Sequence, residues 1–359
     1  MARIELRHIR HAYGAKSLQE KDYALKEVHH IWQDGGAYAL LGPSGCGKTT
    51  LLNIISGLLT PSEGQIMFNE TDVTALSPER RNIAQVFQFP VVYDTMTVSE
   101  NLAFPLRNRG VDKETIKTRV AQVMEMLDLG QLQNKRARGL SADLKQKISL
   151  GRGMVREDVG AILFDEPLTV IDPHMKWQLR SQLKRLHKQF GHTMVYVTHD
   201  QTEALTFADK VAVMLNGEIL QFDTPEDLFK KPRHTFVGYF IGSPGMNILP
   251  ITIDGANARL GESAIALPAN IKVNGSKTEL GIRPEYISLT RNSGGLPVTI
   301  NKVEDIGRQK IVRANLYGHN LAIVIGEDDE VPTDAKVTFA AEGINIYADD
   351  LRVEPGGAQ

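Results

Sequence analysis

Apolar residues recur along this chain in two textures. From residue 3 to about residue 230, short apolar runs alternate with stretches whose apolar positions fall three and four apart. Those are the periods of buried strands and of helices packed by one face. From Ile248 onward only short alternating runs remain, broken at Asp254-Gly255, Asn274-Gly275, Gly294-Gly295 and Tyr317-Gly318-His319. Residues 3–9 alternate apolar and charged, which predicts a half-exposed strand lying at a sheet edge. A polar loop from Gly14 to Asp22 separates it from a second strand, about Ala24–Ile31. Ala37–Leu41 has the bulk and length of a buried strand, and Thr50–Ser56 reads as helix. Pro61–Gly64 is a turn before a short strand Gln65–Asn69, and Ile83–Phe87 is another apolar strand. Ile116, Val120, Val123, Met124 and Leu127 mark one face of a helix that opens near Asp112, with Met124 and Met126 as packing residues. Ala161–Phe164 and Thr193–Val197 read as buried strands, with a helix between them carrying Met175, Leu179, Leu183, Leu186 and Phe190. Asn216-Gly217, flanked by Lys210–Leu215 and Glu218–Phe222, is a type I′ hairpin signal.

Alternating strands and helices predict a largely parallel sheet covered by helices, and the later texture predicts a small all-β barrel. A chain of 359 residues also exceeds one ordinary core. The division falls at 1–237 and 238–359. Composition is that of a soluble globular protein, and a net charge of −2 argues against nucleic acid as a partner. No apolar run approaches the roughly 18–20 residues needed to span a bilayer. The N-terminus shows no charged-then-apolar leader pattern. Cys46 is the single cysteine, which excludes an intrachain disulfide and suits a reducing compartment. The last residues, Glu354–Gln359, are expected to fray.

Chemistry concentrates in Gly42-Pro43-Ser44-Gly45-Cys46-Gly47-Lys48-Thr49-Thr50, a G-x-x-x-x-G-K-T loop between a strand and a helix. Its glycines let backbone N–H groups face phosphate oxygens, at the positive end of the helix dipole. Lys48 is placed to reach β- and γ-phosphates, and Thr49 to offer its hydroxyl to Mg²⁺. Asp165 and Glu166 end an apolar strand, Asp165 to hold Mg²⁺ opposite Thr49 and Glu166 to polarise water. His199 follows another strand end and is a candidate γ-phosphate sensor.

Together these residues resemble the ATP-binding subunits of ABC transporters, over essentially the whole chain. Tyr13 matches the aromatic that stacks on adenine. Gln88, in Val86-Phe87-Gln88-Phe89-Pro90, matches the glutamine that joins Mg²⁺ and links nucleotide state to the membrane subunits. Ile171-Asp172, within Val170-Ile171-Asp172-Pro173, matches the dimer-contact loop, and His199 the switch histidine. Phe240–Asn247 and Leu280–Glu285 look like the linker and accessory domain of importers for sugars, polyols and glycerol phosphate. The resemblance implies an α/β P-loop nucleotide-binding domain of ABC type with a helical subdomain, then a small all-β, OB-type (TOBE-like) regulatory domain. It implies ATP with Mg²⁺, a second ATPase subunit, two transmembrane permease subunits and a periplasmic or lipid-anchored solute-binding protein. The place implied is the cytoplasmic face of the plasma membrane, held peripherally.

One departure from the family pattern stands out. Where the family has Leu-Ser-Gly-Gly-Gln, this chain has Leu140-Ser141-Ala142-Asp143-Leu144. Ser141 still caps a helix. Both glycines are absent, and Asp143 brings negative charge towards a polyanion on the facing subunit. At roughly 4–6 Å and an effective dielectric near 20 that repulsion is about 3–4 kcal/mol per charge pair. Applied at the transition state, it slows hydrolysis on the order of a hundredfold or more. A full catalytic set beside a degraded signature is expected of a heterodimer with one competent and one degenerate site, closest in type to the two-ATPase glycerol importer. An importer ATPase for a sugar or sn-glycerol 3-phosphate is the alternative. Two other classes stand against it: a soluble ABC ATPase acting on DNA or ribosomes, and a subunit that holds ATP with little hydrolysis. The single cassette without heptads disfavours the first, and Glu166 with His199 the second.

Overall fold

The computed structural model describes residues 2–14, 19–267, 273, 275–291 and 294–354. Asn274 of the expected Asn274-Gly275 turn, part of the 14–22 loop and the terminal residues 355–359 lie outside that set. The chain forms two compact units, Met1–Pro225 and Glu226–Gln359. No helix of the described residues is long and apolar enough to cross a membrane.

In the first unit the strands are β1 (Ile4–Ala12), β2 (Tyr23–Trp32), β3 (Ala37–Leu41), β4 (Glu63–Phe68), β5 (Thr71–Asp72), β6 (Ile83–Val86), β7 (Ala161–Asp165), β8 (Met194–Thr198), β9 (Lys210–Leu215) and β10 (Glu218–Asp223). The helices are α1 (Lys48–Ser56), α2 (Pro78–Arg81), α3 (Val98–Arg107), α4 (Lys113–Met126), α5 (Ala142–Met154), α6 (Pro173–Phe190) and α7 (Gln201–Phe207). A six-stranded sheet runs in the order β10-β9-β3-β8-β7-β6. All its pairs are parallel except β9 with β10, which are joined by the Asn216-Gly217 turn. Both turn residues have positive φ, 48° and 82°, as a type I′ turn demands. β3 and β8 are buried at every position, so they carry continuous apolar runs rather than alternation.

The largely parallel sheet is accompanied by a second one, in which four strands pair antiparallel in the order β2-β1-β4-β5. The N-terminal strand is not an edge strand: β1 pairs with β2 on one side and β4 on the other. Alternation reports which face is wet; it does not report whether both ladder edges are occupied. Ile4, Leu6 and Ile9 of β1 share one core with Leu40 of β3 and Leu51, Leu52, Ile54 and Ile55 of α1. That core anchors the loop between β3 and α1 from both sheets. Leu102 on α3, Val123 on α4 and Ile148 on α5 are likewise fully buried, as a helical subdomain requires.

In the second unit, α8 (Pro225–Lys230) and α9 (Thr235–Phe240) precede an all-β body. Its strands are short, from Asn247–Pro250 to Leu351–Arg352, and among the described residues every pair is antiparallel. Leu249, Leu280, Ile282, Val312, Leu321, Ile323 and Val337 centre its core. Tyr317 and Gly318, at φ 50° and 88°, turn the hairpin between Gln309–Leu316 and His319–Gly326. The sequence-drawn boundary at 237/238 falls inside α9, whose contacts lie with the β body. Buried Arg283 donates to Phe229 O and Ile241 O, both at 2.5 Å, and its guanidinium lies 3.8 Å above the Phe229 ring. Burial lowers its pKa to about 10. Tyr347 donates its hydroxyl to Pro232 O at 2.9 Å, completing the tie.

Candidate functional site

The loop between β3 and α1 has its shape dictated at Gly47, whose φ is 101°. A Cβ there meets Leu25 Cδ2 at 2.7 Å and Ala24 O at 2.8 Å, so only glycine fits. The turn at the tip of the β9–β10 hairpin braces the loop from beneath. Gly217 N donates to Cys46 O at 3.2 Å, while Lys26 N donates to Gly217 O at 3.0 Å. Cys46 is buried, and burial pushes its thiol pKa up, so its sulfur is a packing group. Ser44 and Gly45 are exposed at the loop crest.

Lys48 is buried, and its ammonium donates to Gly42 O at 2.8 Å and Pro43 O at 2.9 Å. The loop's own carbonyls therefore hold the charge in place at the mouth of the loop. Thr49 donates its hydroxyl to Asp165 Oδ1 at 3.2 Å, joining α1 to the end of β7. Burial raises the Asp165 pKa, with Glu166's charge adding to it and Thr49 and Lys48 opposing. A raised carboxylate beside a hydroxyl is a hard-oxygen donor set that a divalent cation suits. Among the described residues no three His, Cys, Asp or Glu gather as a metal site.

Glu166 adopts a left-handed backbone, φ 46°, uncommon for a residue with a side chain. Its Oε2 lies 3.2 Å from His199 Nδ1 and accepts from Thr169 Oγ1 at 3.3 Å. The strained turn aims the carboxylate at the histidine that follows β8. Tyr13 is 62% exposed, with its hydroxyl 3.1 Å from Thr50 Oγ1 and its ring edge-on to His11. That leaves a face for stacking beside the loop. Gln88 is half-buried in the segment after β6.

Ser141 caps α5, its hydroxyl accepting from Leu144 N at 3.4 Å. Ala142 is exposed, and Leu140, Asp143 and Leu144 are half-buried. Among the described residues none of Leu140–Leu144 bonds to the 42–50 loop, so the cluster and the α5 start are separate features of this chain. Ile171 is buried, and Asp172 caps α6 by accepting from His174 N at 2.9 Å.

Sequence reasoning missed Glu203. It is 3% exposed and accepts from Thr198 Oγ1 at 2.8 Å, Tyr196 Oη at 3.0 Å and Lys176 Nζ at 3.2 Å. It thus links the residue before His199 to the helix that Asp172 opens. Its signal was faint: a carboxylate one turn into a helix reads as a solvated end.

The ABC transporter family model matches residues 25–169, and the MalK OB fold domain model matches 242–287. The chain is 36% identical to the sn-glycerol-3-phosphate import ATP-binding protein UgpC of Chromobacterium violaceum, over 97% of this chain and 94% of that one. Its identity to the protein of that name from Escherichia coli K12 is 39%, over 89% and 90%. Among solved structures, the dimeric post-hydrolysis ATP-binding cassette MJ0796 bound to ADP and Pi covers 62% of this chain and 98% of its own at TM-score 0.54 and 27% identity. cbiO1 of Clostridium perfringens, part of the ABC transporter complex cbiONQ, gives a TM-score of 0.57 at 25% identity, over 64% of this chain and 90% of its own.

Proposed function

The chain belongs to the ABC transporter family of ATP-binding proteins, and from that premise we propose that it forms one half of an unequal ATPase pair driving uptake of a glycerol-class solute. It is an import ATPase with a C-terminal OB-fold domain. The observation that carries the unequal pairing is local. Lys48 is held by the loop carbonyls, Thr49 bonds to Asp165 and Glu166 lies against His199, while α5 opens on Ala142 and Asp143 in place of two glycines.

ATP is held by the backbone of Gly42–Thr50 with its base against Tyr13. Lys48 exchanges its bonds to Gly42 O and Pro43 O for phosphate oxygens. Thr49, Asp165 and Gln88 would hold Mg²⁺, which would supply charge neutralisation at the phosphates. Glu166 orients the attacking water, and His199 meets the γ-phosphate from the other side of that carboxylate. The Ser141 end of α5 and the Ile171-Asp172 loop face the partner subunit's nucleotide. The segment from Gln88 to Arg109 passes closure to two permease subunits at the cytoplasmic face of the membrane, which a solute-binding protein supplies.

The alternative solute is sn-glycerol 3-phosphate, favoured by the names of the relatives. The test begins with tagging this chain, solubilising native membranes gently and identifying what co-purifies. A second, different ATPase with two permeases supports the unequal pair. This chain with permeases alone overturns it. Uptake of labelled glycerol against labelled sn-glycerol 3-phosphate, with and without this chain, then decides the solute.

A further inference from the structure

Helix α5 buries Gln146, Lys147 and Ser149 among its apolar residues, and Gln146 most completely. Gln146 is wholly buried in its second turn, ahead of the apolar residues Ile148 and Leu150. Its amide nitrogen donates to Phe87 O at 3.1 Å and to Pro167 O at 2.9 Å. Both partners are carbonyls, so only the NH₂ end of the amide can face them; the flipped amide sets oxygen against oxygen. Among the described residues its buried Oε1 finds no partner.

The two carbonyls occupy telling positions. Phe87 directly precedes Gln88, and Pro167 directly follows Glu166. Their strands are parallel neighbours, Val86 pairing with Phe164, so both segments leave the same end of the sheet side by side. One amide spans the gap between them, from the helix that Ser141 opens.

We propose that Gln146 is a positioning residue that clamps the Gln88 and Glu166 segments at a fixed separation. It passes the placement of the first turn of α5 to both. This rests on the reading of Gln88 and Glu166 as groups at the γ-phosphate. A shift of the Ser141 end in response to the partner's nucleotide then moves both groups together, giving the chain an internal route from signature to catalytic carboxylate.

The test uses the full chain and two readouts. Gln146→Met keeps the volume and removes both donors; Gln146→Asn, too short to reach both carbonyls, serves if the first does not fold. Ile148→Val, buried on the same helix, is the control for general loosening. Amide hydrogen exchange should rise together at 87–89 and at 168–169, Pro167 having no amide hydrogen, in the Gln146 variants and at neither in Ile148→Val. Exchange that rises in one segment only, in neither, or equally in Ile148→Val overturns the clamp. In hydrolysis under saturating MgATP, Gln146→Met should lower kcat about ten- to a hundredfold with KM within about twofold, as a small misplacement does. Glu166→Gln is run beside it. If Glu166→Gln turns over normally, the assignment of Glu166 falls while the exchange result still judges the clamp. If Glu166→Gln is dead and Gln146→Met is normal, the proposal is wrong.

Discussion

Replacing Glu203 by alanine removes an acceptor from three donors at once, and the structure sets the cost. Tyr196 and Thr198 are buried, so their hydroxyls lose an acceptor where water does not replace it. Each such loss is about 1–3 kcal/mol. The Lys176 side chain is a quarter exposed, so its ammonium recovers part of its loss by hydration. Burial and the Glu203 charge hold the Tyr196 phenol well above its usual pKa, so it remains an O–H donor at any working pH. Glu203→Ala should therefore destabilise the first unit by about 3–5 kcal/mol. At a urea m-value of about 2.5 kcal/mol/M, that is a midpoint shift of roughly 1–2 M. Tryptophan fluorescence is the natural probe, because both tryptophans, buried Trp32 and exposed Trp177, lie in that unit. A cycle with Tyr196→Phe sharpens the test. That substitution should cost about 1 kcal/mol in the parent and much less once Glu203 is gone. A Glu203→Ala penalty under about 1 kcal/mol, or an equal Tyr196→Phe cost in both backgrounds, refutes the network.

Three further outcomes are expected. Lys48→Ala should weaken ATP binding at least about tenfold, since it removes the cation that faces the phosphates; an unchanged dissociation constant in nucleotide titration counts against the loop assignment. His192 is buried, neither of its ring nitrogens bonds to any of the described residues, and burial lowers its pKa. Its contribution to stability is therefore complete above the ordinary imidazole value, about 6.5, and is lost as pH falls below it, at up to about 1.4 kcal/mol per pH unit. His192→Phe should flatten the urea midpoint between pH 6.5 and 5, and an unchanged slope refutes this. Ala142→Gly with Asp143→Gly should raise hydrolysis in the assembled complex on the order of a hundredfold at the site facing α5; no gain means that the α5 start works as it is.

Contiguous features were the legible ones. The loop from Gly42 to Thr50, and the Asn216-Gly217 turn with its two positive φ values, are written in neighbouring residues. Features made by distant pairing were not. The ladder of β1 against β4, and the attachment of α8 and α9 to Arg283 and Tyr347, join residues tens of positions apart. Glu203 and Gln146 were invisible for a different reason. On a helix a polar side chain reads as facing solvent, and only packing from other elements reveals that it is buried.

The hairpin tip at Asn216-Gly217 has a practical meaning for anyone who edits this chain. Tight surface turns of that kind are the habitual places to insert a tag, split a chain or graft a sensor. Here the turn is wedged between the backbone of Cys46 and that of Lys26, and a Cβ on Gly217 already comes within 2.9 Å of Ala24 O. An insertion at 216/217 lifts the floor from under the phosphate loop. Gly255, with open space around its Cβ position in the second unit, is a turn better suited to cargo.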